Sequence, residues 1–185
     1  MGNNPAPDGW LPSYKKDSRG GLDVYQLAQL NVAVMKSPLD SPPMAEFVGN
    51  LQRVNRLAEE SPGYIWRLES DAGDATAFRP LGENVLVNLS LWADTESLSR
   101  YVYRSAHVEI MRRRRDWFER MGQAYLVLWW VTAGHRPTVE EAIERLELLR
   151  TNGPSPAAFT FGHAYGPPDS AAADDAFDIG DACPA

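Results

Sequence analysis

Apolar and polar positions along the chain divide it into alternating strands and helices. Over residues 24–35 (VYQLAQLNVAVM) the period is two. Ala28, Leu30, Val32 and Val34 lie on one face, and Tyr25, Leu27, Gln29 and Asn31 on the other, which predicts a strand. Pro38, Pro42 and Pro43 bar its continuation. Over residues 44–60 the period lengthens, with Phe47, Leu51, Val54, Leu57 and Ala58 forming one apolar stripe of a helix. Ser61-Pro62-Gly63 stops it. A short strand over 64–70 and a polar connection lead into a third strand over 85–92. That strand carries Val85, Val87, Leu89 and Leu91 on one face, and Leu86, Asn88, Ser90 and Trp92 on the other. Asp94 or Thr95 caps a second helix, Glu96 occupies its first turn, and helical spacing continues to about Met121, with a break near Ser105. The fourth strand, 125–133, places Tyr125, Val127, Trp129 and Val131 opposite Leu126, Leu128, Trp130 and Thr132. Pro137 and a Thr138–Glu141 capping box open a third helix, with Ala142, Leu146 and Leu149 inward, which ends at Asn152-Gly153-Pro154. The fragment AAFTF (157–161) predicts an edge strand. Residues 1–23 read as a flexible arm, 24–161 as the folded domain, and 162–185 as a disordered acidic tail.

The order β-α-β-β-α-β with an added C-terminal helix is α+β and ferredoxin-like: a four-stranded antiparallel sheet with both helices of the repeat on one face. The third and fourth strands are apolar or aromatic on both faces. In a lone copy Trp92 and one of Trp129 and Trp130 would then be wet, an apolar patch soluble monomers rarely tolerate. The expectation is a homodimer joined by this face, a dimeric α/β barrel enclosing a dry chamber.

Composition narrows the partners. The apolar share is 44% and the charged share 23%, as in ordinary globular proteins. No apolar run approaches the roughly 20 residues of a membrane span, and the first residues lack the pattern of a signal peptide. The Met-Gly start has Ala6 where a myristoylation signal wants Ser or Thr. Cys183 has no partner for an internal disulfide, which fits a cytoplasmic protein. The net charge of −7 owes most to Asp169, Asp174, Asp175, Asp178 and Asp181, beyond the last arginine, Arg150. Neither a nucleic-acid nor a membrane surface is implied. Arg112 to Arg115 fan around about 300° of a helix and read as a solvated surface.

Candidate chemistry gathers in the second half. His107 shares a helix face with Tyr103 and Met111; it is either a polar group at a core edge, a general base near neutral pH, or an axial haem ligand. Asn88, Ser90 and Trp92 alternate on an otherwise apolar strand, so they face a cavity or satisfy one another. Arg67 binds an anion or pairs near Glu69. Trp66, Trp92, Trp117, Trp129 and Trp130 line a pocket for a flat ligand or fill core and interface. His135 reads as a helix-entry residue. Nucleotide-binding GxGxxG and GxxxxGKS/T, HExxH and GxSxG motifs are all missing, and His107, His135 and His163 lack zinc-ligand spacing.

The segments LAQLNVAVMKSPLDSPPMAEFVGNLQRVNRLAEESPGYIWRL, YVYRSAHVEIMRRRRDWF, YLVLWWVTAGHRPTVEEAIERL and AAFTF resemble the dimeric α/β-barrel superfamily. That group includes antibiotic-biosynthesis monooxygenases, haem-degrading enzymes, chlorite dismutases and aldoxime dehydratases. The chain is most similar there to a bacterial family labelled a domain of unknown function. The helix with His107 and the following Trp117-Phe118 also resembles the haem-dependent spheroidene monooxygenases. The resemblance implies a monooxygenase-type oxidoreductase acting on a hydrophobic aromatic or polyketide-like compound, with no cofactor or with haem. His107, Arg67 and Asn88 would be catalytic. Trp66, Trp92, Tyr103, Met111, Trp117, Trp129 and Trp130 would hold substrate. A binding protein for a hydrophobic metabolite is the alternative.

Overall fold

The computed structural model describes residues 25–104 and 112–168. Its elements are β1 (Tyr25–Val34), a 3-10 turn (Pro42–Met44), α1 (Ala45–Glu59), β2 (Tyr64–Arg67), β3 (Val85–Trp92), α2 (Thr95–Arg104), a single turn α3 (Arg114–Trp117), β4 (Leu126–Thr132) and α4 (Val139–Asn152). The strands form one antiparallel sheet in the order β2-β3-β1-β4, which is the ferredoxin-like topology.

Local chemistry accounts for most boundaries. Ser41 precedes Pro42 and Pro43, and proline is at home in the first helical turn. The Asp94 carboxylate accepts from the Ser97 N–H at 2.7 Å and caps α2. Gly63 closes the α1–β2 turn at φ +84°, where a side chain would run into Ser97. β2 ends at Arg67, short of the expected 70, and its register slips between Tyr64 and Trp66, leaving Ile65 exposed on the sheet edge. The AAFTF fragment makes one antiparallel bridge to the sheet, Phe159 to Leu128, with both backbone bonds at 2.8 Å along the outer edge of β4. Residues 162–168, assigned to the tail on sequence grounds, fold back on the domain: the Trp130 indole donates to the Tyr165 carbonyl at 2.7 Å. The arm 1–23 and the acidic stretch from Asp169 lie outside the described residues.

The sheet is covered on both sides. Below it, Ala28, Leu30, Val32, Val87, Leu89, Leu91, Val127, Trp129 and Val131 pack against Ala142, Leu146 and Leu149 of α4. Above it, α1 and α2 cover the opposite face in two separate apolar clusters. One holds Leu27, Ala58, Trp92, Leu98, Tyr101, Leu128 and Phe159. The other holds Ala33, Met35, Met44, Leu86, Trp117 and Phe118. The premise of the dimer expectation is therefore corrected. Trp92 and Trp129 are each 1% exposed within one chain: Trp92 is covered by α2, and Trp129 by α4, which fills the place assigned to a second copy. Sheet-to-sheet pairing would have to displace α4. Among the described residues no helix is long and apolar enough to cross a membrane.

Candidate active site

A row of polar side chains separates the two apolar clusters beneath α1 and α2. It runs across the two central strands: Gln29 and Asn31 on β1, Asn88 and Ser90 on β3, with Gln29 opposite Ser90 and Asn31 opposite Asn88. At its inner end the row is closed. The Trp92 indole donates to the Ser90 hydroxyl at 2.9 Å, and that hydroxyl donates to Gln29 Oε1 at 2.9 Å. Gln29 Nε2 then points to Asn31 Oδ1 at 3.5 Å. Buried polar groups must be satisfied, and here they satisfy one another.

At the outer end the row opens into a cavity of about 150 Å³. Phe47, Leu51 and Val54 of α1 form its roof, Ala33, Leu86, Asn31 and Asn88 its floor, and Trp117 and Phe118 an end wall. Asn88 is exposed although the residues on either side of it along the strand, Val87 and Leu89, are buried. Among the described residues the Asn88 side chain has no hydrogen-bond partner. Asn50 and Asn55 of α1 reach the same space, with Asn50 Nδ2 donating to the Glu46 carbonyl at 2.8 Å. A cavity of roughly this volume admits one benzene-sized ring.

Two of the charged groups that line it, Arg67 and Asp74, are occupied. Arg67 donates to Glu59 at 2.8 Å and pairs with Glu69 at 3.1 Å. Asp74 accepts from the Thr76 N–H at 2.8 Å and from its hydroxyl at 2.6 Å. Beyond Val54 the Tyr101 ring stacks on Trp92 with centroids 5.1 Å apart, and its hydroxyl points to the Val54 carbonyl at 3.4 Å. Burial pushes the Tyr101 phenol well above its ordinary value, and burial raises Tyr64 as well.

Residues 26–175 match the family model described as "Domain of unknown function (DUF3291)". The chain belongs to DUF3291. None of the curated proteins matches it. Solved structures with some likeness include SnoaB, a cofactor-independent oxygenase from Streptomyces nogalater, at 16% identity over 63% of this chain and 98% of that one, TM-score 0.37. A conserved protein from Methanosarcina mazei is 15% identical over 58% of this chain and 92% of its own, TM-score 0.41. A candidate antibiotic biosynthesis monooxygenase from Nitrosomonas europaea is 14% identical over 62% and 93%, TM-score 0.35.

In this DUF3291 chain the residues singled out from sequence go to three places. Arg67, Asn88 and Trp117 line the cavity. Trp92, Tyr103 and Trp130 pack in the cluster beside it; Tyr103 meets Phe161 edge-on at 5.6 Å. Trp66 and Trp129 lie on the opposite face with α4, where the Trp129 indole donates to Glu141 at 3.1 Å and Arg136 lies 5.8 Å from the Trp66 ring. His107 and Met111 lie outside the described residues. The cavity has room for one ring and not for a porphyrin. Sequence reasoning overlooked Asn50, Asn55 and Arg114 as lining residues. Asn50 and Asn55 flank the Phe47–Leu51–Val54 stripe and could have been found as polar side chains at the margin of an inward helix face.

Proposed function

We propose that this DUF3291 chain is a small-molecule oxidoreductase of monooxygenase type. Its substrate is a hydrophobic aromatic or polyketide-like compound, one ring of which enters the cavity between β1, β3 and α1. The observation that carries this reading is the Asn31–Asn88 pair, two amides facing a one-ring space walled by Phe47, Leu51, Leu86 and Trp117. Amide donors fixed on adjacent strands stabilise an oxyanion or enolate as it forms, once a bound ring excludes water from them. In the cofactor-free scheme His107 removes a proton from a methylene carbon conjugated through an aromatic ring to a carbonyl. The charge moves onto the carbonyl oxygen, which Asn88 and Asn31 hold. Dioxygen accepts the electrons: the methylene becomes a carbonyl with one oxygen atom, and the other leaves as water. Arg67 orients the ring at the rim rather than neutralising it, since Glu59 and Glu69 already cancel its charge.

A second reading is a non-catalytic carrier. It is favoured by Asp74: among the described residues lining the cavity it is the one carboxylate, and Thr76 holds it. Oxygen uptake with an anthrone separates the two. Uptake that drops at least tenfold in His107→Ala and in Asn88→Leu is expected, with each variant still binding the compound. Binding without any uptake in the wild type selects the carrier.

A further inference from the structure

A second cleft, of about 300 Å³, lies where β1 and β4 meet α3 and the segment after it. Lys36, Arg114, Arg115 and Arg120 line it, against one acid, Glu119. In a chain of net charge −7 such a concentration of cations is out of character. The neighbouring Arg113 shows what an ordinary surface arginine does here: it pairs with Glu46 and with Asp116, the latter at 3.0 Å. Among the described residues none of the four cations of the cleft has a carboxylate partner. Arg114 is fixed without one. Its guanidinium lies 4.4 Å from the Tyr125 ring centroid and 5.9 Å from that of Phe118, and one N–H points to the Val32 carbonyl at 3.4 Å. Stacking and one long bond leave most of its five donors for a ligand. Lys36 Nζ is steadied by the Arg115 carbonyl at 2.5 Å.

Arg114 and Phe118 line both this cleft and the one-ring cavity. We propose that the two spaces are halves of one site, which takes a flat apolar compound bearing a carboxylate, one ring of it in the cavity and its carboxylate among Arg114, Arg115, Arg120 and Lys36. The assignment rests on the cavity reading above and adds the anionic class of the substrate. Charge recognition is thereby placed at the far side of Phe118, away from Arg67, whose charge is spent on Glu59 and Glu69.

The test is calorimetric titration of the full chain with naphthoate and with its uncharged analogue naphthalenemethanol at low salt. Naphthoate is expected to bind on the order of tenfold more tightly, the sum of several weak, partly exposed ion pairs, and to lose that advantage as salt is raised. The double variant Arg115→Gln/Arg120→Gln, both at exposed positions, should bring naphthoate down to the alcohol's affinity and leave the alcohol unchanged. Ala33→Leu, which narrows the cavity floor, should weaken both. Equal affinity of the two probes in the wild type overturns the anionic assignment while leaving the cavity reading intact. Naphthoate binding that survives Ala33→Leu shows a separate anion cleft and sinks the two-part site. If neither probe binds, the cavity reading and this assignment fall together.

Discussion

Ser90 is the residue on which the inner end of the polar row depends, because its one hydroxyl serves both Gln29 and the Trp92 indole. Replacing it by alanine strands two buried polar groups. Ser90→Ala should cost about 1–3 kcal/mol in urea unfolding, more than an ordinary hydrogen bond is worth, because unsatisfied groups incur the full desolvation penalty. Tyr101 makes a pH prediction. Its phenol is raised by burial, so the folded state holds a proton that the unfolded chain releases near pH 10. The stability this represents is complete below about pH 10 and is lost as pH rises from there towards the folded value. Urea titrations above pH 10 should therefore fall steeply in the wild type and less steeply in Tyr101→Phe. An identical slope in both would refute it. At this scale the sequence showed Asn88 as a polar residue on an apolar strand. Its partnership with Asn31 stayed hidden, because cross-strand register is a long-range fact that neither local pattern contains. The fate of Arg67 was half legible: Glu69 is a near neighbour in the chain, whereas Glu59 arrives from the end of α1.

Among the elements, α4 is the one whose role differs most from the pattern that announced it. Its capping box is half formed: Thr138 Oγ accepts from the Glu141 N–H at 3.2 Å, while the Glu141 carboxylate turns to Trp129 and, at 2.7 Å, to His135. The helix start is thus tied to β4, beneath which it packs. Leu146 is fully buried there, and Leu146→Ala should cost about 2–5 kcal/mol in denaturant unfolding, against about 1 kcal/mol for the cap variant Thr138→Ala. Equal effects would mean that α4 is held by its cap and not by its apolar face. The periodicities that predicted β1, α1, β3, β4 and α4 are strong because each is amphipathic or apolar over several turns or pleats. What no periodicity states is the identity of the cover. The face of Val85, Val87, Leu89 and Leu91 demands burial, and α4 with Phe78 and Leu81 of the same chain satisfies that demand as well as a second copy would.

For the whole molecule the consequence is a three-layer domain whose charge is uneven. Five of the aspartates follow Pro168, and the cations of the α3 region collect at one end of the sheet. A chain ending before Pro137 would lack α4 and bare Val127, Trp129 and Val131. Such a truncated chain is expected to self-associate in sedimentation velocity as concentration rises, an exposed apolar sheet face being a ready contact. The full chain should not associate through this face, which a cysteine introduced at Val131 and tested for cross-linking would reveal. The divided packing above the sheet carries a last implication. Under the strands one unbroken block of side chains acts as a keel, whereas over them the filling is interrupted by a polar seam. A visiting molecule can therefore lift the roof helix locally without loosening the keel, and admission of a guest is uncoupled from survival of the fold.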